Sequence, residues 1–222
     1  MTDIPSIDSG LRHLVGMAVN AALGEEKELR RLMTVALQGP VKVAQAHELL
    51  LQTALFAGVP RCLNGFRVLD ECLAVQGRSQ STRLLEEARA TAAKAVIDPW
   101  MSGQQLFGKV YGEKASQVRT ALARSHPQLE SWIIRCAYGE ILSRDGLDVA
   151  TRELLAVAVL TALDLPLQLA GHLRGAIHCG ASEGQIRAVL SLVALYTPHT
   201  PMAFELLAKM VSGQDDGEVD EV

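Results

Sequence analysis

Five side chains between Tyr138 and Tyr196 have the types and spacings that acid–base chemistry needs: Glu140, Arg144, Arg152, Glu153 and His172. Imidazole titrates near neutral pH, so His172 is the candidate general acid or base. Its bland alternative is a core histidine, because Leu169, Leu173 and Ala176 around it are apolar. Glu140 precedes Arg144 by four residues, which on an exposed helix gives an ion pair worth about 0.3–0.5 kcal/mol. In a site, the same two residues offer a proton carrier and a bidentate grip on a substrate carboxylate. Arg152 and Glu153 open their helix, where a carboxylate suits the helix dipole and an arginine makes a structural ion pair. The structural reading is preferred for that pair, with a place in a site as the alternative.

Other reactive side chains are poorly placed. His172 and His178 are six residues apart on one helix and face different ways. No acidic or cysteine ligand is spaced to complete a set with them or with His199, so no metal is expected. Cys62, Cys72, Cys136 and Cys179 are scattered without a C-x-x-C. In a reducing compartment such cysteines are small buried hydrophobes. Cys179 is the thiol nearest the proposed site.

These residues have to be held by helices. Hydrophobic residues make up 49% of the chain and aromatics 4%, and the Ala and Leu content favours helix. Asp8 and Ser9 can cap a first helix, Gly24 ends it, and Gly39-Pro40 stops the second. A third helix runs to about Phe56, broken by Gly58-Val59-Pro60, and a fourth runs to about Val75. The polar stretch 76–81 reads as a linker, followed by an amphipathic helix from Arg83 to Ile97 that Asp98-Pro99 ends. One helix is expected from about Gly103 to Arg124 and another from Pro127 to Leu142. Asp148 caps the helix carrying Arg152 and Glu153. Gly180 is placed as a left-handed stop after His172, and Ser182 with Gln185 forms a capping box. The last helix follows Pro198 and Pro201. The acidic tail 214–222 is expected to be disordered. With no strand alternation anywhere, the fold class is all-α.

The chain also repeats. Arg12, Leu14, Ala18, Val19, Ala22 and Leu23 find identical partners 140 residues later, as do Gln45, Leu50, Ala54 and Leu55. Duplicated helical units follow. The copies differ where chemistry would sit, His172 lying over Leu32 and Glu153 over His13. A site is therefore expected in the second copy.

A formal net charge of −4 and a pI near 5.9 leave no basic surface for nucleic acid or an anionic membrane. No apolar run approaches the roughly 18 residues of a spanning helix, and the first residues lack a signal-peptide layout. A cytosolic, soluble chain is expected.

The segment YGEILSRDGLDVATRELLAVAVLTALD from Tyr138 resembles the aromatic-Gly-Glu, Ser/Thr-Arg, Gly-Leu and Thr-Arg pattern of the carboxymuconolactone decarboxylase family. The following HLRGAIHCGASEGQIRAVLSLVALY resembles that family's His-led helix and Gly turn. FGKVYG from Phe107, Trp132 and HELLLQTALFAGVP from His47 to Pro60 resemble other parts of the module. That module is shared with the alkylhydroperoxidase D-like proteins. The resemblance implies two related helical modules with about nine to ten helices. The first is a degenerate module at 1–76, followed by a linker and connecting helix at 77–99, a second module at 100–213 and the tail. It further implies decarboxylation of a small carboxylated lactone-like or keto acid without metal or organic cofactor, through His172, Glu140 and Glu153, with Arg144 and Arg152 binding substrate. A homo-oligomer, a trimer imitating a six-module ring, is the implied assembly. The peroxidase branch carries a C-x-x-C four residues ahead of the shared His; here those positions are Leu165 and Gln168, so a dithiol mechanism has no sulfur to use. A lone-thiol peroxidase using Cys179 or Cys136, and a non-enzymatic binding or assembly module, are the alternatives.

Overall fold

The computed structural model describes residues 7–75 and 98–213, together with 82, 83, 85, 86, 89 and 90. The expected linker at 76–81, most of the connecting helix and the tail 214–222 lie outside the described residues.

The first four helices are α1 (Ser9–Leu23), α2 (Glu26–Leu37), α3 (Val43–Ala57) and α4 (Val59–Val75). After the connection come α5 (Pro99–Tyr111), a 3-10 turn (Gly112–Lys114), α6 (Ala115–Ser125), α7 (Pro127–Trp132) and a π-helix, π1 (Ile133–Leu142). The last four are α8 (Val149–Ala162), α9 (Pro166–His178), α10 (Glu183–Val193) and α11 (Thr200–Val211). Among the described residues there is no strand.

Adding 140 to the starts of α1, α2 and α3 lands on the starts of α8, α9 and α10. The caps repeat as well. Asp8 accepts from the Leu11 N–H at 2.8 Å and Asp148 from the Thr151 N–H at 2.9 Å. Gln45 and Gln185 each reach back to the backbone N–H of the cap residue, Lys42 or Ser182, at 2.9 Å. The sequence repeat is thus a structural one. Its two units face each other reciprocally: α1 packs on α8, and α1 meets α10 as α8 meets α3. That exchange is the signature of a pseudo-twofold arrangement.

The two central helices account for the lack of amphipathic contrast in their sequences. Every residue of α8 from Arg152 to Ala162 is buried, as is α1 from Leu14 to Ala22. A helix apolar all round belongs inside a core. Arg152 and Glu153 are the charged residues caught in that burial, and they need partners there.

The intervening segment builds a smaller core of Leu106, Phe107, Val110, Ile134, Tyr138 and Leu142. It depends on two glycines. A Cβ at Gly103 would overlap the Ile134 carbonyl, and one at Gly139 would overlap the Pro99 carbonyl, so α5 and π1 cross at backbone contact. Two expectations change here. Asp98-Pro99 starts a helix instead of only ending one, since the Asp98 side chain accepts from the Met101 N–H at 2.9 Å. The single helix expected over 103–124 is broken at Gly112, whose φ is +56°. Pro127 to Leu142 is helical throughout, but its last ten residues run in π register, as in the 3.0 Å bond from the Ser143 N–H to the Tyr138 carbonyl. A turn of this kind is rare, and in other proteins it recurs at functional sites.

Candidate functional site: the His172–Glu153 cluster

Glu153 leaves the second turn of α8 and His172 the middle of α9, and their side chains meet in the interior. Glu153 Oε2 lies 2.8 Å from His172 Nδ1. Both are buried, at 2% and 7% exposure. The contact is possible because Gly175, one turn on from His172, has no side chain. A Cβ there would stand 2.6 Å from Glu153 Oε2 and 2.7 Å from Val110 Cγ1. With the carboxylate at Nδ1, the neutral ring carries its hydrogen on Nδ1, and Nε2 is the nitrogen left to exchange a proton with a ligand.

Three aromatic rings close this pair in. Phe56 of α3 meets the His172 ring edge-on, with centroids 5.3 Å apart at 84°. Tyr111, at the end of α5, stands beside Gly171 of α9. Tyr138 of π1 donates a hydrogen bond to the Tyr111 hydroxyl at 3.3 Å. Burial pushes the Tyr111 phenol above its ordinary range, with the Tyr138 bond opposing and the Glu153 charge adding. Burial pushes Tyr138 further up, aided by Tyr111 and Glu153. Both phenols are neutral donors at physiological pH. Phe56, Tyr111 and Tyr138 were not among the expected site residues. Tyr138 stands at the aromatic-Gly-Glu signature and Tyr111 within FGKVYG, so their signal was present; Phe56 belongs to the other copy.

The thiol beside this cluster is not activated. Burial and the Glu153 charge hold the Cys179 pKa up at about 11, with Lys109 opposing weakly. Cys136 is also raised, by burial and then by Glu140. A nucleophilic thiol needs the opposite shift.

The other expected site residues are placed elsewhere. Glu140 is exposed and has Arg135 at 3.5 Å. It stands on the side of π1 away from the buried Ala137, Tyr138 and Leu142. Arg152 is enclosed at 1% exposure. Its Nη2 donates to Glu48 Oε2 at 2.8 Å and to the Arg144 carbonyl at 3.0 Å. Its Nη1 reaches Gln52 Oε1 at 3.3 Å. Arg144 Nε donates to both Glu48 oxygens, at 3.1 and 3.2 Å. Arg144 also lines an open cleft of about 580 Å³ with Lys109, Ser143, Asp145, Asp148 and Cys179. That cleft reaches the cluster's neighbourhood through Cys179, the residue capping the helix of His172. Among the described residues, no group of three or more His, Cys, Asp or Glu side chains is arranged to hold a metal, and no helix is long and apolar enough to cross a membrane.

Comparison with known proteins agrees with this architecture. The sequence model of the Carboxymuconolactone decarboxylase family matches residues 2–71 and 127–209, which takes in both repeated units. The 4-carboxymuconolactone decarboxylase of Acinetobacter baylyi is 31% identical over 98 residues, 44% of this chain and 73% of that protein. The nitrosuccinic acid decarboxylase of Metarhizium robertsii is 31% identical over 118 residues, 52% of this chain and 80% of that protein. Peroxisomal protein 2 of Schizosaccharomyces pombe is 25% identical over 183 residues, 81% of this chain and 82% of the relative. With the family match falling on the two halves of the helical repeat, this all-α, two-module chain belongs to the carboxymuconolactone decarboxylase family.

Proposed function

We propose that the chain decarboxylates a small carboxylic acid by acid–base catalysis, with His172 as the proton carrier and Glu153 orienting it. The observation that carries this reading is the buried 2.8 Å contact between Glu153 and His172 Nδ1, enclosed by Phe56, Tyr111 and Tyr138. In such a reaction the bond between carbon and carboxylate breaks and its electron pair passes into an acceptor already in the substrate. A conjugated lactone carbonyl or a nitro group serves as that acceptor. CO2 leaves, and the carbon takes a proton from the His172 imidazolium at Nε2, which water then restores. Enclosure favours the step, because a carboxylate loses hydration as it becomes neutral CO2. Arg144, at the edge of the cleft, is the proposed seat for a substrate carboxylate.

The two decarboxylases among the relatives support a carboxylated substrate and define the first compounds to assay, 4-carboxymuconolactone and nitrosuccinate. CO2 release is the readout. His172→Ala is expected to lower turnover by about 10²- to 10⁴-fold. Turnover by His172→Ala at the wild-type rate would sink the assignment. The raised Cys179 thiol argues against the lone-thiol peroxidase alternative. The name of the S. pombe relative sets a peroxisomal location beside the expected cytosolic one, a choice that imaging of the tagged chain settles.

A further inference from the structure

The two copies have not degenerated in parallel. Helix α3 of the first unit presents Glu48, Gln52 and Phe56 at intervals of four, one stripe on one helix face. Each of the three touches a residue of the second unit or of the loop that leads into it. Glu48 holds Arg144 and Arg152; Gln52 accepts from Arg152 and donates from Nε2 to its carbonyl at 2.8 Å; Phe56 meets His172. At the equivalent positions of α10 and the turn after it, the second unit has Ala188, Leu192 and Tyr196. The reverse holds for the acid–base pair, which the second unit keeps as Glu153 and His172 and the first replaces with His13 and Leu32. One copy has kept the proton machinery and the other the stripe that supports it. Glu48 and Gln52 are polar residues of the first copy, and both are buried.

Within that stripe Glu48 has a further role. It is the carboxylate between two guanidinium groups, those of Arg144 and Arg152. The Arg152 side chain is 1% exposed, whereas that of Arg144 is 12% exposed and lines the cleft. The cluster also fixes the loop. Arg152 Nη2 donates to the carbonyls of Arg144 and Asp145, at 3.0 and 3.4 Å. Gly146 has a φ of +102°, and a Cβ there would lie 2.9 Å from Glu48 Cγ, so the Glu48 stem packs directly under the turn. Asp145 and Asp148 share the cleft wall, but the Asp148 carboxylate is engaged in capping α8, accepting from Thr151 N and Oγ1 at 2.9 and 2.7 Å.

We propose that Glu48, from the unit without the acid–base pair, is a positioning residue for substrate: it sets Arg144 and the 143–148 loop as the seat of a substrate carboxylate. This rests on the decarboxylase reading for the kind of ligand, not for the reaction. The test is therefore binding of an unreactive dicarboxylate, succinate, to the full chain by isothermal titration calorimetry. Glu48→Gln keeps the shape and removes the charge; Glu48→Asp keeps the charge. We expect succinate affinity to fall tenfold or more in Glu48→Gln and to stay within threefold of wild type in Glu48→Asp. Should Glu48→Gln not fold, the double variant Glu48→Gln/Arg152→Met is compared with Arg152→Met alone and is expected to bind succinate at least tenfold more weakly than that single variant. Equal succinate affinity in wild type and the charge-neutral variant overturns the proposal, as does Glu48→Asp binding no better than Glu48→Gln. Absence of succinate binding to the wild type overturns it too. Failure of His172→Ala to affect CO2 release would leave these binding results untouched, so the two readings fail separately.

Discussion

Glu153 and His172, nineteen residues apart on two packed helices, meet through a 2.8 Å contact that both side chains make while almost wholly out of water. A carboxylate held there fixes the ring orientation. Glu153→Gln keeps a hydrogen-bond acceptor at Nδ1 but deletes the charge. Turnover on the substrate found in the decarboxylase panel should fall on the order of 100-fold, with KM changed far less. Steady-state CO2 release measured on both proteins checks this; an unchanged kcat would reduce Glu153 to a packing residue.

Replacing Gly175 tests the geometry without requiring a substrate. Its added methyl would collide with Glu153 Oε2 and Val110 Cγ1, so Gly175→Ala should destabilise the protein by about 1–3 kcal/mol. At Gly108, in helix α5, an added methyl would meet nothing within 4 Å, which makes Gly108→Ala the control. That change should instead stabilise by roughly 0.5–1 kcal/mol through helix propensity. Urea denaturation midpoints of the two variants should move in opposite directions.

The repeated caps make a paired prediction. Asp8 and Asp148 each accept a bond from the third backbone N–H beyond them, at 2.8 and 2.9 Å. Asp8→Ala and Asp148→Ala should each cost about 1 kcal/mol in thermal or chemical unfolding. A large difference between them would show that the cap of one copy has taken on a different job.

Cys179 should be sluggish toward alkylation. Its pKa of about 11 lies above that of an ordinary cysteine thiol, so burial favours the neutral form, and at pH 8 roughly one thiol in a thousand is thiolate. The rate of iodoacetamide labelling at Cys179, followed by mass spectrometry, should climb steadily with pH up to about 11. Rapid labelling at pH 7 would revive a thiol-based mechanism.

Much of this protein was legible because helical structure is written locally. The Asp8 and Asp148 caps, the capping box at Ser182 and Gln185, and the left-handed Gly180 depend on residues within one turn of each other, so spacing predicted them. The repeat was legible for the same reason: the ten aligned identities fall at helical positions of α1 and α3, and the helices start where the offset of 140 says they should. Glu153 and His172 could be named because they stand out from apolar helices. The resemblance to the decarboxylase family already marked the same two residues.

What spacing could not supply was the direction in which a polar side chain points once its helix has neighbours. Glu140 and Arg144 fit an i, i+4 pair on an ideal helix, but the helix ends at Leu142, Glu140 has Arg135 beside it, and Glu48, 96 residues before Arg144, takes its Nε edge. Phe56 and Glu48 read as parts of a copy that had lost its chemistry, because their partners lie across an interface between units. The sequence by itself determined the helices, their caps, the duplication and the presence of Glu153 and His172 in apolar helices, all properties of short stretches or of their alignment. Only the tertiary structure decided which copy's helix closes that pair and which buried charges offset one another, because a buried charge takes its partner from whatever the packing of distant segments brings within hydrogen-bond reach.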